Sequence, residues 1–375
     1  VRTLVLHGET IFCAGAQKML GYFAEGAAAA GVDLTIAMAP NPKLSELLPP
    51  TTATLPLPSN QRFSPLGLIR QTLAVRNHVR TGGYEILHGW TARDWELTAT
   101  ARLATGRPAV GLLHDHPRAP HISGGRQRLM RWCAAFGMDR TLCVSEAVST
   151  ACAEAGYPPD RLLVVQNGIP HPPAPPGPSL GGVLRLGYLG VFSERKGLRV
   201  LFQLIDQLGR LQPAGWELEL AGGAQDDAGR QLVEELRSTY AGRPWWPRLR
   251  WLGWVRRPAD FVATVDLLIV PSSEFDPFPT VLLEAGSGAR PVFAARVGGV
   301  PEIVIEGRTG WMFDPQAPEP AAVRLAELLR DPLSISRAGA EAARQVRRHF
   351  GVESMARNYL EAYRRLLPGR RQTTA

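Results

Sequence analysis

The chain has 375 residues, 45% hydrophobic and 20% charged, which excludes a disordered polypeptide and suffices for two or three domains with ordinary cores. No apolar run approaches the roughly 18–20 residues of a membrane helix, and the start, "VRTLVLHGE", has too short an apolar core for a secretory signal. Cys13, Cys133, Cys143 and Cys152 form no CxxC pair or Cys/His cluster, so a reduced cytoplasmic protein without structural zinc is expected.

The net charge of +8 is unevenly placed: between Arg62 and Arg140 stand 12 arginines and 5 acidic residues. Such an excess suits anionic lipid, a phosphorylated substrate or nucleic acid, and equally an arginine-rich solvated surface. Lysine occurs only at positions 18, 43 and 196, against 39 arginines. A lysine in this background points to a site that wants a compact ammonium.

Along the chain, short apolar strand patterns alternate with helix-length segments. "RTLVLH" is followed by a helical pattern over 15–31 and then by "VDLTIAM". The helical segment 64–81 carries Leu66, Ile69, Leu73 and Val79 on one side and Arg70, Arg76 and Arg80 elsewhere. Such a helix ordinarily packs on its sheet; peripheral contact with an anionic membrane, at its inner face, is the alternative. "YEILHGW", "PAVGLLHD" and "RTLCVS" follow, with a helix over 146–156. "HPPAPPGPSLGG" (171–182) cannot sustain a helix or central strand and reads as an interdomain linker. Beyond it come "LRLGYLG", a helix over 197–211, "WELELAGG", a helix over 227–241, "LRWLGWV", "DLLIVPS" and "RPVFAA". The alternation predicts an α/β protein with parallel sheets and crossover helices, and ligands held outside the strands' carboxyl ends.

In "SSEFDPFPTVLLEAG" (272–286), Pro277 and Pro279 keep Asp276 in a loop, and a helix starting at Pro279 or Thr280 carries Glu284. Free amides and the dipole at that helix end suit a diphosphate, while the two carboxylates would accept from neutral hydroxyls. A nucleotide-sugar combines both chemistries; a pair of surface acids at a helix start is the plainer reading. "LRLGYLGVFSERKGLRVLFQLI" places Lys196 between a glycine turn and a helix but contains no P-loop. In "RPWWPRLRWLGWVRRP" the tryptophans are expected to cover helix and sheet edges rather than stack bases, and no nucleic-acid partner is expected.

The order "VSEAV…VVQNGI", "LGYLGVFSERKG", "LELAGG", "LGWV" and "VPSSEFDPFPTVLLEAGSGARPVFAARVGGVPEIVIEGRTG" resembles the retaining glycosyltransferases of the family 4 (group 1) type. The resemblance is strongest over 144–313 and implies the GT-B architecture, two facing Rossmann-like domains with a cleft between them. It places an acceptor-binding domain at 1–170, the linker at 171–182, a nucleotide-sugar-binding domain at 183–351, and a last helix, about 352–367, returning to the first domain. By resemblance, Asp276 holds donor-sugar hydroxyls, Glu284 holds the ribose, and Lys196 with the amides of Thr280 and Val281 meets the diphosphate. Gly190 matches the family glycine, but Val191 stands where an arginine is usual, so Arg195 becomes the candidate replacement. Gly15 matches the glycine loop in "GETIFCAGAQK", with Lys18 beside it, and His114 matches the histidine facing the reaction centre. Asp115 and His88 are further acceptor-side candidates.

The resemblance implies a retaining transfer from a UDP- or GDP-type sugar to a carbohydrate, lipid-linked or small-molecule acceptor, with no metal or other cofactor. The alternative is a catalytically weak or inactive protein of this fold that binds a sugar nucleotide. An epimerase or phosphorylase on the same fold is a third reading.

Overall fold

A computed structural model of the protein describes residues 1–8, 14–60, 64–171, 182–212 and 214–367. Most of the expected linker (172–181) and the tail from 368 onward lie outside these residues. By its contacts the chain forms two units: Val1–Pro170 with the segment from Phe350, and His171–His349.

In chain order, the first unit contains β1 (Arg2–His7), α1 (Ala14–Ala27), β2 (Asp33–Met38), α2 (Pro42–Leu47), β3 (Ala53–Pro56), α3 (Pro65–Gly82) and β4 (Ile86–Gly89). It continues through α4 (Trp95–Thr105), β5 (Ala109–Leu113), α5 (Gly124–Trp132), β6 (Arg140–Cys143), α6 (Glu146–Glu154) and β7 (Leu162–Val164). The second unit runs β8 (Leu184–Val191), α7 (Leu198–Leu211), β9 (Trp216–Gly223), α8 (Asp227–Tyr240), β10 (Leu249–Gly253), α9 (Pro258–Thr264) and β11 (Leu267–Val270). After it come α10 (Thr280–Ser287), β12 (Val292–Ala295), α11 (Val300–Ile303), β13 (Gly310–Phe313), α12 (Pro318–Leu329) and α13 (Pro332–His349). The last helix, α14 (Val352–Arg364), belongs to the first unit.

Each unit is built on one parallel sheet: β3-β2-β1-β4-β5-β6-β7 in the first, β10-β9-β8-β11-β12-β13 in the second. Parallel strands are covered by helices on both faces, so their sequences are continuously apolar instead of alternating. The strands β4, β5, β11 and β12 are buried throughout, as expected of central strands. Helix α7 turns Leu198, Leu201, Phe202, Ile205 and Leu208 inward, at the i, i+3, i+4, i+7 spacing of a core-facing stripe. The edge of that core is polar but satisfied: Asp206 accepts from Trp245 Nε1 at 3.0 Å and pairs with Arg210 and Arg243 at 2.9 and 3.1 Å.

Helix α14 reaches the first unit through backbone and aromatic contacts. Ile169 N donates to Phe350 O at 2.9 Å, and the Tyr359 ring packs 4.6 Å from Phe23 of α1. His88, expected on the acceptor side, is instead fully buried between β4 and α14, with Nδ1 2.7 Å from the Tyr363 hydroxyl. It tethers the returning helix and exposes no surface to an acceptor. Burial, with a smaller contribution from His114, pulls its pKa down to about 3. Among the described residues its Nε2 has no hydrogen-bond partner.

The unfolded chain binds a proton on His88 near its ordinary pKa of 6.5, whereas the folded chain refuses it until about 3. The stability this contributes is fully present above 6.5 and is lost as pH falls from there toward 3, by up to about 1.4 kcal/mol per pH unit. The melting temperature is therefore expected to fall between neutral pH and about pH 5, and to fall less steeply in His88→Gln. Parallel declines in the two proteins would show that burial of neutral His88 is not the cause.

Candidate functional site

Where the connections of a parallel sheet reverse direction, the loops after two neighbouring strands diverge and leave room at their carboxyl ends. In the second unit that point lies between β8 and β11. The loop after β8 brings Arg195 and Lys196; the loop after β11 brings Ser272 and Asp276. Lys196 Nζ stands 2.7 Å from Asp276 Oδ2, which also accepts from Ser272 Oγ at 2.9 Å. The two loops are tied by Ser273 N donating to Arg195 O at 3.1 Å.

Two glycines permit this approach. Gly197 has φ +73°, and a Cβ there would stand 1.7 Å from Pro271 O. Gly298 has φ +51°, and its Cβ would meet Asp276 O at 2.1 Å, while Gly299 N donates to that same oxygen at 2.9 Å. These positions use the left-handed region that glycine alone enters without steric penalty.

Helix α10 begins at Thr280 behind Pro279, and among the described residues no side chain caps it. Thr280, Val281 and Glu284 are half-buried on this helix, Glu284 just over one turn in. Gly190, at the end of β8, lies in register with Gly222 of β9. Tyr188 donates from its hydroxyl to Val191 O at 2.8 Å. Burial, and then the Asp276 carboxylate, push its phenol pKa upward against the opposing pull of Arg195. The exposed Arg195 thus stands close enough to Tyr188 to be felt electrostatically.

The Asp276 side chain is 5% exposed, and one carboxylate oxygen already serves Lys196 and Ser272. A buried carboxylate requires a counter-charge and hydrogen bonds, and these groups supply both. Asp276 thus holds the lysine through Oδ2.

In the first unit the reversal lies between β1 and β4, and a polar network fills it that the sequence did not reveal. Asp94 accepts from Gly8 N at 2.8 Å, Thr91 N at 2.9 Å, Thr91 Oγ1 at 2.8 Å and His7 Nδ1 at 3.3 Å. Gln17 Nε2 lies 2.8 Å from His7 Nε2, so the histidine donates to the acid and accepts from the amide. His7, Asp94 and Gln17 are all buried. The network fixes Gly8, where the expected glycine loop begins; its residues 9–13 lie outside those described. Gly15 is exposed in the first turn of α1, and Lys18 lies over the Tyr22 ring at 5.6 Å.

His114 follows β5 and donates from Nε2 to Trp90 O at 3.2 Å. Burial lowers its pKa to about 4 despite that bond, so it is neutral at pH 7, with Nδ1 as an acceptor. Asp115 accepts from His116 N at 2.7 Å and faces His121 at 3.7 Å. Trp245 and Trp251 pack against Phe202, as expected for the tryptophan-rich stretch, but Trp254 does not. It is 61% exposed, and it stands beside Gly223 at the end of β9. Among the described residues there is no cluster of three His, Cys, Asp or Glu side chains placed to hold a metal, and no helix long and apolar enough to cross a membrane.

Two Rossmann-like sheets, with a cationic loop and an uncapped helix at the second switch point, define the architecture of GT-B glycosyltransferases. The family model described as "Glycosyl transferases group 1" matches residues 184–331, and that described as "Glycosyltransferase Family 4" matches 14–171. The chain is 31% identical to the D-inositol 3-phosphate glycosyltransferase of Corynebacterium efficiens, over 73% of its own length and 70% of that protein's. It is 29% identical to the alpha-maltose-1-phosphate synthase of Mycolicibacterium smegmatis, over 71% and 75%. The structure of Anabaena HepE in complex with UDP superposes with a TM-score of 0.83 at 22% identity, covering 98% of this chain and all of that one. The chain belongs to the group 1, family 4 glycosyltransferases.

If Lys196 and Asp276 hold one another, removing either leaves the other deprived of its partner. Lys196→Ala and Asp276→Ala are each expected to lower stability by about 1–2 kcal/mol, reduced from a fully buried pair because the lysine is partly exposed. The double variant should lose less than the sum, as read by urea denaturation; strict additivity would show the pair to be uncoupled.

Proposed function

We propose that the second unit binds a nucleotide diphosphate-sugar at the α10 end of its sheet and that the enzyme transfers the sugar, with retention, to an acceptor hydroxyl. The observation that carries this reading is the Lys196–Asp276 pair at the β8/β11 switch point, beside the uncapped start of α10. A diphosphate there meets the amides of Thr280 and Val281, the Lys196 ammonium and, in place of the arginine absent at Val191, the exposed Arg195. Preorganised donors and cations of this kind stabilise the charge that develops on a departing diphosphate. This reaction reading assigns no step to a metal.

Glu284, one turn along α10, is the acceptor for ribose hydroxyls. Trp254 offers an exposed face to the nucleobase. It follows β10 and stands beside Gly223 at the end of β9, on the side of β8 opposite β11. In the same-face substitution, the bond from the anomeric carbon to the phosphate oxygen breaks as the acceptor oxygen attacks. The acceptor proton passes to the leaving phosphate, so no protein nucleophile is assigned. Neutral His114 serves as a hydrogen-bond acceptor for a sugar hydroxyl, and its low pKa argues against a general acid at neutral pH. The solved relative's complex with UDP supports a uridine donor, and the phosphorylated products or substrates named for the curated relatives support a small polyhydroxylated or phosphorylated acceptor.

The second reading, a weak or inactive sugar-nucleotide binder, draws on Val191 and on the partial neutralisation of Lys196 by Asp276. A panel of UDP- and GDP-sugars separates the two. Release of nucleoside diphosphate with an α-configured product from an α-donor supports transfer with retention, and tight nucleotide binding with no turnover supports the second. Glu284→Ala and Lys196→Ala should each reduce turnover by about 100-fold or more. Trp254→Ala should weaken UDP binding by about tenfold, within the range for loss of base stacking. Unchanged binding by Trp254→Ala in calorimetry would remove that residue from the site.

A further inference from the structure

The outer surface of the first unit carries an apolar and basic face that no part of the donor site uses. Helix α3 packs inward through Gly67, Gln71, Val75 and Val79. That corrects the sequence expectation, which grouped Val79 with Leu66, Ile69 and Leu73 on the packing side. The opposite side of α3 presents Leu66, Ile69 and Leu73, spaced i, i+3 and i+7, all between 56% and 58% exposed. Arg70, Arg76 and Arg80 are exposed on the same outward sector.

The neighbouring helices extend this face. Helix α4 lies against α3 through the Thr72–Thr100 hydroxyl bond of 2.7 Å, and it exposes Leu103 at 69%. The π-helical turn Cys133–Gly137, continuing α5, packs on α4 so closely that a Cβ at Gly137 would stand 2.5 Å from Ala99 Cβ. From that end of the layer project Trp132 and Phe136, 51% and 69% exposed, with their rings 6.2 Å apart. Neither α3 nor the stretch 124–137 contains an acidic residue, and together they hold six arginines.

Scattered exposed leucines are ordinary; large apolar side chains on three adjacent helices, set among arginines with one acid, Glu96 of α4, that is itself paired to Arg126, are not. We propose that this α3–α4–α5 face docks the first unit onto an anionic lipid bilayer. Leucine, isoleucine, tryptophan and phenylalanine side chains enter the interface between headgroups and acyl chains, while the arginines meet lipid phosphates. Charge complementarity selects this occupant. A second copy would set arginine against arginine, and a nucleic acid would leave the apolar side chains in water.

The test is flotation of the full chain with vesicles of equal parts phosphatidylglycerol and phosphatidylcholine, compared with phosphatidylcholine alone. Binding is expected to the anionic vesicles, to fall by about tenfold on neutral ones, and to weaken between about 0.1 and 0.5 M salt. Leu66→Gln/Ile69→Gln/Leu73→Gln and, separately, Trp132→Ser/Phe136→Ser should each reduce it by about tenfold. Both variants should keep the parent's circular dichroism and melting temperature, because the side chains they alter face solvent. Absence of binding by the parent, or unchanged binding by both variants, would overturn the proposal. So would concentration-dependent self-association, in sedimentation velocity without vesicles, that the same substitutions abolish.

Discussion

A parallel sheet whose strand order reverses must open at the carboxyl ends of the two strands where it does so. That constraint organises both halves of this molecule. In the second unit the opening between β8 and β11 receives a cationic loop from one strand and an acidic loop from the other. In the first, the opening between β1 and β4 receives His7, Gly8, Thr91 and Asp94. The chemistry differs between the two, but its placement comes from the same crossover geometry.

Electrostatics then decides how the groups in each opening behave. Asp276 is buried, so it is tolerable only with Lys196 and Ser272 bound to it, and the pairing orients the lysine before any ligand arrives. Asp94 is buried as well, but its partners are mostly backbone amides and a hydroxyl, so it anchors a loop where Asp276 orients a cation. The histidines show the converse effect. Burial keeps His88 and His114 neutral, which makes the first a tether for α14 and the second a hydrogen-bonding group.

Helix α3 shows how a single amphipathic pattern hides two faces. The leucines and isoleucine at 66, 69 and 73 look like a core stripe when read by spacing, yet small and polar residues, Gly67 and Gln71, do much of the inward packing. A Cβ at Gly67 would overlap the Asn60 side chain, so this position takes no larger residue without a shift. The larger apolar residues are thereby turned outward, beside the arginines, where they give the surface its distinctive chemistry.

The sequence by itself determined the α/β class, the central strands and the assignment to this family. Buried parallel strands such as "DLLIVPS" and "RPVFAA" are continuous apolar runs that nothing else in the chain imitates, and the prolines around Asp276 dictate a loop before a helix. Three short strands were not legible. β3 is a four-residue edge strand ending in proline, β7 has three half-buried residues, and β13 follows a turn that masks its "GWMF". Edge strands take their conformation from the neighbour they pair with, so local composition does not announce them. Only tertiary structure decided what the polar side chains do: that Asp276 faces Lys196, that His88 meets Tyr363 from 275 positions away, and that Asp94 closes on His7. Spacing along a chain carries no information about such partners, because each pairing is made by crossovers that bring distant strands to one edge of a sheet.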